Sequence, residues 1–235
     1  MKKRSIFIIS IVLVSLMVVG AGFLIKQVIA KEQKSLGEVL ENVGQFVCSK
    51  PQLLRDGLNL SKQVPPEKVV AWVNGLPISY DELQFRLGLN KSSGLGPQTL
   101  DGVFKEIVRE KVIQKEAIKL GIAPTDEEIA SYLSREKEIA KQNPEYRSGI
   151  EKITTSWNLT EDEYWNLYER YNITRLITLD KLSRHILKDY YSKEGITVDD
   201  EKQAKQEWNK YVNGLLSKAD IKNNPQFDSL RLSIE

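Results

Sequence analysis

The sequence is poor in the side chains that carry most metal and redox chemistry. Its 235 residues include one histidine, His185, and one cysteine, Cys48. These two residues cannot build a His/Cys metal cluster, an internal disulfide or a convincing nucleophile–base pair. We therefore predict a non-catalytic protein without a metal or another cofactor, although composition leaves a site made only of carboxylates open. The lone thiol is expected to be a buried or partly buried small apolar side chain.

The sequence also lacks a large excess of either charge. It carries 34 basic and 32 acidic residues. Four of the basic residues lie in the first thirty positions, which contain no acid, so the rest of the chain has a net charge of about −2. Nucleic acid is not an expected partner, because phosphate neutralisation requires a basic surface that this balance does not supply.

Only one long apolar run occurs, over residues 5–25, and three basic residues at positions 2–4 precede it. Its length matches the roughly 20 apolar residues that a membrane-spanning helix needs. We predict a transmembrane signal anchor at residues 1–30, with the amino terminus in the cytoplasm and the bulk of the chain outside. The alternative is a long signal peptide that is cleaved after Ala30. Either interpretation exports the rest of the protein.

The predicted fold is mainly α-helical: the transmembrane helix is followed by a multi-helix domain with a short strand element. Apolar residues at helical spacing predict an amphipathic helix over residues 34–47, which Pro51 ends. The polar stretch that follows, residues 51–66, is interpreted as a linker or loop. We assign residues 31–66 to a juxtamembrane helix and linker, residues 67–222 to the helical domain, and residues 223–235 to a flexible tail. Helical periodicity predicts further helices over residues 99–120, 125–143, 146–157, 160–187 and 198–218.

Local sequence signals mark where several of these elements begin. The β-branched run over residues 69–73 ends at Asn74-Gly75, which predicts a short strand and a tight turn. Ser79, Thr125 and Thr160 are each followed three residues later by Glu, which is the pattern of a capping box at a helix start. The acid-rich triplets near predicted helix starts are interpreted as caps rather than as general acids or bases, because helix amino termini favour negative charge.

Two blocks of residues carry a resemblance to a known family. Residues 70–83 read strand, Val-Asn-Gly, Ile-Ser and an acidic helix start, and they resemble the opening of the amino-terminal chaperone domain of the SurA and PrsA families. Glu116-Ala117, Gly121-Ile122 and residues 125–129 are similar to that family's core helix, its exit and its next helix start. The resemblance covers about residues 69–187, with a further likeness in residues 208–221. It implies a helical extracytoplasmic folding factor.

The chain departs from the family where a parvulin prolyl isomerase domain is normally inserted. The helix that ends near position 187 and the one that begins near position 198 are separated by too few residues for such a domain to lie between them. Residues 183–187 include His-Ile-Leu, as in a parvulin's first strand, but they also continue a helical apolar stripe. We therefore place His185 in a helix and do not expect isomerase activity.

Aromatic side chains are the best candidates for a binding surface. Rings with an apolar body and a polar tip can contact varied apolar side chains without a fixed partner geometry. Core packing is the default alternative for such a group. The hypothesis is an apolar groove that transiently holds unfolded or nascent exported polypeptides. Alternative functions are an envelope scaffold with one dedicated partner and a divergent prolyl isomerase. The candidate polypeptide-binding residues are Trp72, Phe85, Trp157, Tyr164, Trp165, Tyr168 and Tyr171.

Overall fold

A computed structural model of the chain describes residues 36–60 and 62–230. The predicted anchor at residues 1–30 lies outside this part of the chain. Among the described residues, the structure contains no helix that combines the length and the apolar character needed to cross a membrane.

The described residues are mainly α-helical, as predicted, and form ten α-helices. Their bounds are α1 Leu36–Ser49, α2 Pro51–Gly57, α3 Tyr80–Ser93, α4 Leu100–Lys119, α5 Asp126–Gln142, α6 Pro144–Trp157, α7 Glu161–Glu163, α8 Arg170–Ile186, α9 Lys188–Tyr191 and α10 Val198–Leu216. The strands are β1 Val69–Val73, β2 Leu76–Ser79 and β3 Ile221–Asn223. A π-helical segment, Tyr164–Glu169, joins α7 to α8. Short 3₁₀ turns cover Pro66–Lys68 and Pro225–Leu230.

The predicted strand and turn are confirmed, and the three strands form one antiparallel sheet in the order β2-β1-β3. Asn74 and Gly75 both have positive φ, at 49° and 83°, so the two-residue hairpin turn uses the left-handed conformation that Asn-Gly tolerates. Pro77 lies on one edge strand and Lys222 on the other. Both residue types discourage further strand pairing at a sheet edge.

The capping predictions hold at Thr125 and Thr160, where both halves of the capping box are present. At Ser79 only one half forms: its hydroxyl accepts from the Glu82 backbone amide at 3.0 Å. The prediction that the Glu82 carboxylate reaches back to the helix start is wrong. That carboxylate instead accepts a hydrogen bond from Tyr171 at 2.7 Å, because α8 packs beside this end of α3.

The linker assigned to residues 51–66 is wrong over its first half. Pro51 does not only end the preceding helix but also occupies the first turn of α2, where a missing amide is harmless. Leu54 and Leu58 are completely buried, or nearly so. A side chain added at Gly57 would lie 2.8 Å from the backbone of Asp81 at the start of α3. The α2 helix is therefore part of the folded body.

The α1 helix is equally integral, because it packs closely against α3 and α6. A Cβ atom added at Gly44 would lie 2.5 Å from the carbonyl oxygen of Ser156 in α6. A Cβ atom at Gly88 of α3 would overlap the ring of Phe46, at 2.0 Å. Small residues at these points allow the helix backbones to approach each other.

The assignment of residues 223–235 to a flexible tail is wrong for the described residues up to 230. Strand β3 pairs with β1, and the Asn224 side chain donates to the carbonyl of Val69 at 2.8 Å. Phe227 stacks on Tyr80 with ring centroids 5.6 Å apart. These contacts lie far apart in sequence, so local composition did not reveal them.

Three buried clusters make up the interior. The largest lies between α1, α3, α5, α6 and the π-helical segment. The second packs the sheet against α4, with Val70, Phe104 and Ile107 at its centre. The third joins α4, α8 and α10 around Leu182 and Val212. The last helix is confirmed at Val198–Leu216, slightly shorter than predicted.

Candidate functional site

Six of the seven candidate binding residues lie inside the protein, none of them more than 4% exposed. They form its interior, whereas the hypothesis required them to line an open groove. The physical reason is that helical spacing selects one face of a helix, and here other helices cover that face. Burial supports the core-packing alternative. The six residues are Phe85, Trp157, Tyr164, Trp165, Tyr168 and Tyr171.

Five of these residues come from one stretch of chain and are named here the aromatic cluster: Trp157, Tyr164, Trp165, Tyr168 and Tyr171. Trp157 meets Tyr168 edge to face at 4.9 Å between ring centroids. Tyr164 meets Trp165 in the same way at 5.0 Å. Edge-to-face pairs contribute roughly 0.5–1.5 kcal/mol each beyond the burial of their area.

The other two candidates lie in different surroundings. Phe85 of α3 belongs to the same buried cluster and contacts Phe46 of α1, with ring centroids 6.0 Å apart. Trp72 is half-buried on β1, opposite Pro77 on one side and Lys222 on the other. The structure thus brings Phe85 to the aromatic cluster and leaves Trp72 on the sheet.

The helix that carries most of the aromatic cluster changes its winding over Tyr164–Glu169. Four of these six residues are buried, and the looser turn lets them all face inward. Short π-helical segments are rare and occur frequently at functional sites. The capping signal at Thr160 indicated a helix start, but nothing in the sequence pattern indicated this change of winding.

Three buried side-chain atoms near Tyr168 have no hydrogen-bond partner: Trp157 Nε1, Glu169 Oε2 and Asn172 Nδ2. Trp157 is in ring contact with Tyr168, Glu169 follows it in the chain, and Asn172 lies one turn further on. A buried polar atom without a partner costs roughly 1–3 kcal/mol. The packing of this region is therefore less favourable than its ring contacts alone suggest.

Glu169 has an unusual proton affinity. Burial raises the pKa of its carboxyl to about 7, with a further contribution from the nearby charge of Glu136 and an opposing hydrogen bond from Tyr164. Glu136 accepts a hydrogen bond from the Tyr146 hydroxyl at 2.9 Å. Two acidic groups thus lie close together between the π-helical segment and the hairpin formed by α5 and α6.

A second polar group joins α3, α4 and α8 and is named here the arginine network: Arg86, Glu106, Glu110 and Arg175. Arg86 is 3% exposed and donates to both oxygens of Glu110, at 2.6 and 2.9 Å. Arg175 donates to the same carboxylate, with its Nε 2.8 Å from Oε2. Two guanidinium groups therefore share one carboxylate, and Glu106 lies 3.3 Å from Arg86.

The pKa values of the two acids of the arginine network are shifted in opposite directions. Burial would raise the pKa of Glu110, but Arg175 and Arg86 together lower it to about 2. For Glu106 burial dominates and raises the pKa to about 7. This network was not among the predictions from the sequence. The available signal was the spacing of Glu106 and Glu110, which puts two acids on one face of a predicted core helix.

A cavity of about 10 Å³ lies between α3 and α8, beside Arg86, Asn172 and Arg175. This volume is near the minimum that holds one water molecule. The cavity is therefore too small to receive a side chain of another polypeptide.

The remaining candidates for chemistry lie at the surface. Among the described residues, no group of three or more His, Cys, Asp or Glu side chains is placed to hold a metal ion. His185 lies in α8, as predicted, and is exposed. Cys48 is exposed, not buried as predicted, and lies at the edge of the contact between α1 and α6; its Sγ lies 3.4 Å from the Ser156 carbonyl oxygen.

Comparison of the chain with protein-family models, with curated proteins and with solved structures finds no match.

Proposed function

We propose that the chain is a membrane-anchored, extracytoplasmic and non-catalytic module that transiently holds unfolded exported polypeptides. Its anchor would be residues 1–30, and its body would be a SurA-like or PrsA-like domain without the isomerase. The observation that carries the proposal is the aromatic cluster, a dense group of rings whose closed arrangement leaves three nearby polar atoms without hydrogen bonds.

The proposed contact surface is hidden in the closed form, so binding requires movement. The α5–α6 hairpin itself carries Trp157 and packs over the rest of the aromatic cluster. It connects to the next helix through Asn158, which adopts the left-handed conformation at φ 51°. If the hairpin swings about this point, Trp165 and Tyr164 become accessible and the polar atoms near Tyr168 reach water. Burial of apolar surface does not depend on the sequence of the bound polypeptide, which suits a holding function.

The resemblance adds support of a different kind. The strand, Asn-Gly turn, second strand and capped helix that carry it form one compact unit here, with β1, β2 and α3 consecutive in the chain. This context is what the resemblance implied for residues 70–83. It supports a family relationship as part of the proposal.

The test is suppression of aggregation. The full chain in lipid nanodiscs would be added to an unfolded model protein, with empty nanodiscs as the control. Suppression at several-fold excess supports the proposal, and no effect refutes it. A photo-crosslinking phenylalanine derivative at position 165 tests the contact surface, with the same group at position 185 as the surface control. Crosslinks to the model protein should form at position 165 and be few at position 185.

A scaffold with one dedicated partner is a second candidate, favoured by exposed apolar side chains near the start of α10. Tyr191 is 42%, Ile196 is 43% and Val198 is 80% exposed. Pull-down from solubilised membranes separates the two functions. A holding chaperone returns many substoichiometric polypeptides, and a scaffold returns one stoichiometric partner.

A further inference from the structure

Glu169 is a carboxyl in an interior that offers it little compensation. It is 3% exposed, and its Oε2 atom has no hydrogen-bond partner. It lies on the π-helical segment, where the helix is already wound less tightly. Ionising a group in such surroundings is expensive unless the surroundings change.

The groups that face Glu169 are acidic or phenolic. The α5 helix contributes Glu136 and Tyr132, and the α6 helix contributes Tyr146, whose hydroxyl donates to Glu136. Within its own helix, Tyr164 donates a hydrogen bond to the Glu169 carboxyl. A negative charge at Glu169 would therefore meet a second carboxylate and no cation.

Several basic side chains on the neighbouring elements contact other groups. On α2, Arg55 pairs with Glu163. The α5 and α8 side chains divide between ring contacts and ion pairs: Arg135 lies over Tyr132, Lys137 over Trp165, Arg170 pairs with Asp126, and Arg175 pairs with Glu110. Among the described residues, no ion pair includes Glu169.

We propose that Glu169 is a proton-sensitive latch for the tip of the α5–α6 hairpin, residues 136–146. With the carboxyl protonated, Glu169 lies beside Glu136 and the tip stays closed. When the proton leaves to solvent, the tip separates so that the new charge reaches water. This inference goes beyond the proposed function, because pH can control closure whether or not a polypeptide binds.

The direction of the response follows from linkage. The ordinary pKa of a glutamate is about 4.3 in an unfolded or open form. Because Glu169 holds its proton more tightly in the closed form, closure is favoured at low pH and loses stability as pH rises through about 7. With these two values, the ratio of open to closed forms should rise roughly tenfold between pH 6 and pH 8.

The test is hydrogen–deuterium exchange of the full chain in nanodiscs at pH 6 and pH 8, corrected for the intrinsic rate of exchange. Peptides covering residues 136–146 should show about a tenfold larger opening at pH 8. Glu169→Gln should remove this response and keep the segment protected at both pH values. Glu138→Gln is the control, because Glu138 lies on α5 within the tip and has an exposed side chain, so this variant should keep the response.

Two results would overturn the latch. One is equal corrected exchange of residues 136–146 at pH 6 and pH 8 in the wild-type chain. The other is a response in Glu169→Gln as large as that of the wild type. Glu136→Gln is a second test. It removes the like charge but leaves Glu169 buried, so the pH dependence of exchange in residues 136–146 should become smaller without disappearing. No step of this test uses a polypeptide substrate, so failure of the aggregation assay would leave its result unchanged.

Discussion

Replacing Glu110 by glutamine tests whether the arginine network stabilises the fold. The amide keeps the shape of the side chain but removes the carboxylate that Arg86 and Arg175 share. Removing one partner of a buried ion pair typically costs 3–5 kcal/mol, because the other charge stays buried without compensation.

The pKa shift of Glu110 gives a second, independent estimate of the free energy of unfolding that the carboxylate contributes. Its pKa is about 2 in the folded protein and about 4.3 when unfolded, and each unit corresponds to about 1.4 kcal/mol. The product is about 3 kcal/mol. About 25% of the side chain is exposed, so solvent screening reduces this value. We expect Glu110→Gln to lose about 2–3 kcal/mol at pH 7.

The assay is urea unfolding followed by circular dichroism at pH 7 and at pH 3. The stability that Glu110 provides is present above about pH 4.3 and is lost as pH falls towards 2, so the difference between wild type and Glu110→Gln should shrink at pH 3. Glu106→Gln is the control one turn away on the same helix. Because burial raises the pKa of Glu106 to about 7, this variant should be neutral or stabilising at pH 8. A loss below about 1 kcal/mol for Glu110→Gln, or an equal loss for Glu106→Gln, would refute the argument.

Three further predictions concern other contacts and use the same unfolding assay. Gly44→Ala should destabilise by about 1–3 kcal/mol, because the added Cβ would lie 2.5 Å from the backbone oxygen of Ser156; Gly214→Ala, with open space around it, should be neutral or stabilising. Glu169→Gln should raise stability at pH 8 by up to about 4 kcal/mol and change it little at pH 4, whereas equal effects at both pH values would contradict the burial of a titrating carboxyl. Asn224→Ala should cost about 1–2 kcal/mol and increase amide exchange in residues 221–230, since it removes the side-chain bond to the β1 backbone; unchanged exchange would show that the carboxyl-terminal segment does not depend on this residue.

The parts of the fold that the sequence predicted are those governed by local chemistry. Asn74-Gly75 needs only its own conformational preference to make a turn, and Thr125 needs only a glutamate three residues away to start a helix. The core helix Leu100–Lys119 is recognisable because apolar residues cover most of its circumference. None of these signals requires knowledge of what lies next to the element in space.

The parts that the sequence did not predict depend on that knowledge. Helical spacing indicated that Trp165 and Tyr168 share a face, but not that α5 and α6 would cover it. Proline both ends and begins helices, so Pro51 was compatible with a linker and with α2. The meeting of Arg86 with Glu110 joins two helices, and its geometry is set by packing rather than by either segment alone.

The sequence predicted most of the residues that come together at the candidate site, but the prediction that they line an open groove was wrong. The aromatic residues do come together, and Trp72 does not join them because it belongs to the sheet. Binding of a polypeptide to the rings then depends on how stably α5 and α6 pack over them. The spacing of apolar residues in the sequence carries no information about that stability. The sequence also did not single out the buried acid beside the rings. Glu169 differs from the other glutamates only in its surroundings, which become visible only in the folded structure.

The buried acids together should give the stability of the fold a maximum in mildly acidic solution. The stability that Glu110 provides grows between about pH 2 and pH 4.3, whereas Glu106 and Glu169 reduce stability between about pH 4.3 and pH 7. The two effects leave a maximum near pH 4. Unfolding free energies measured from pH 3 to pH 9 would locate it. The double variant Glu106→Gln with Glu169→Gln should flatten the alkaline side alone, because Glu110 still governs the acidic side. A profile of the double variant that falls between about pH 4.3 and pH 7 as steeply as that of the wild type would mean that other groups lower the stability in this range.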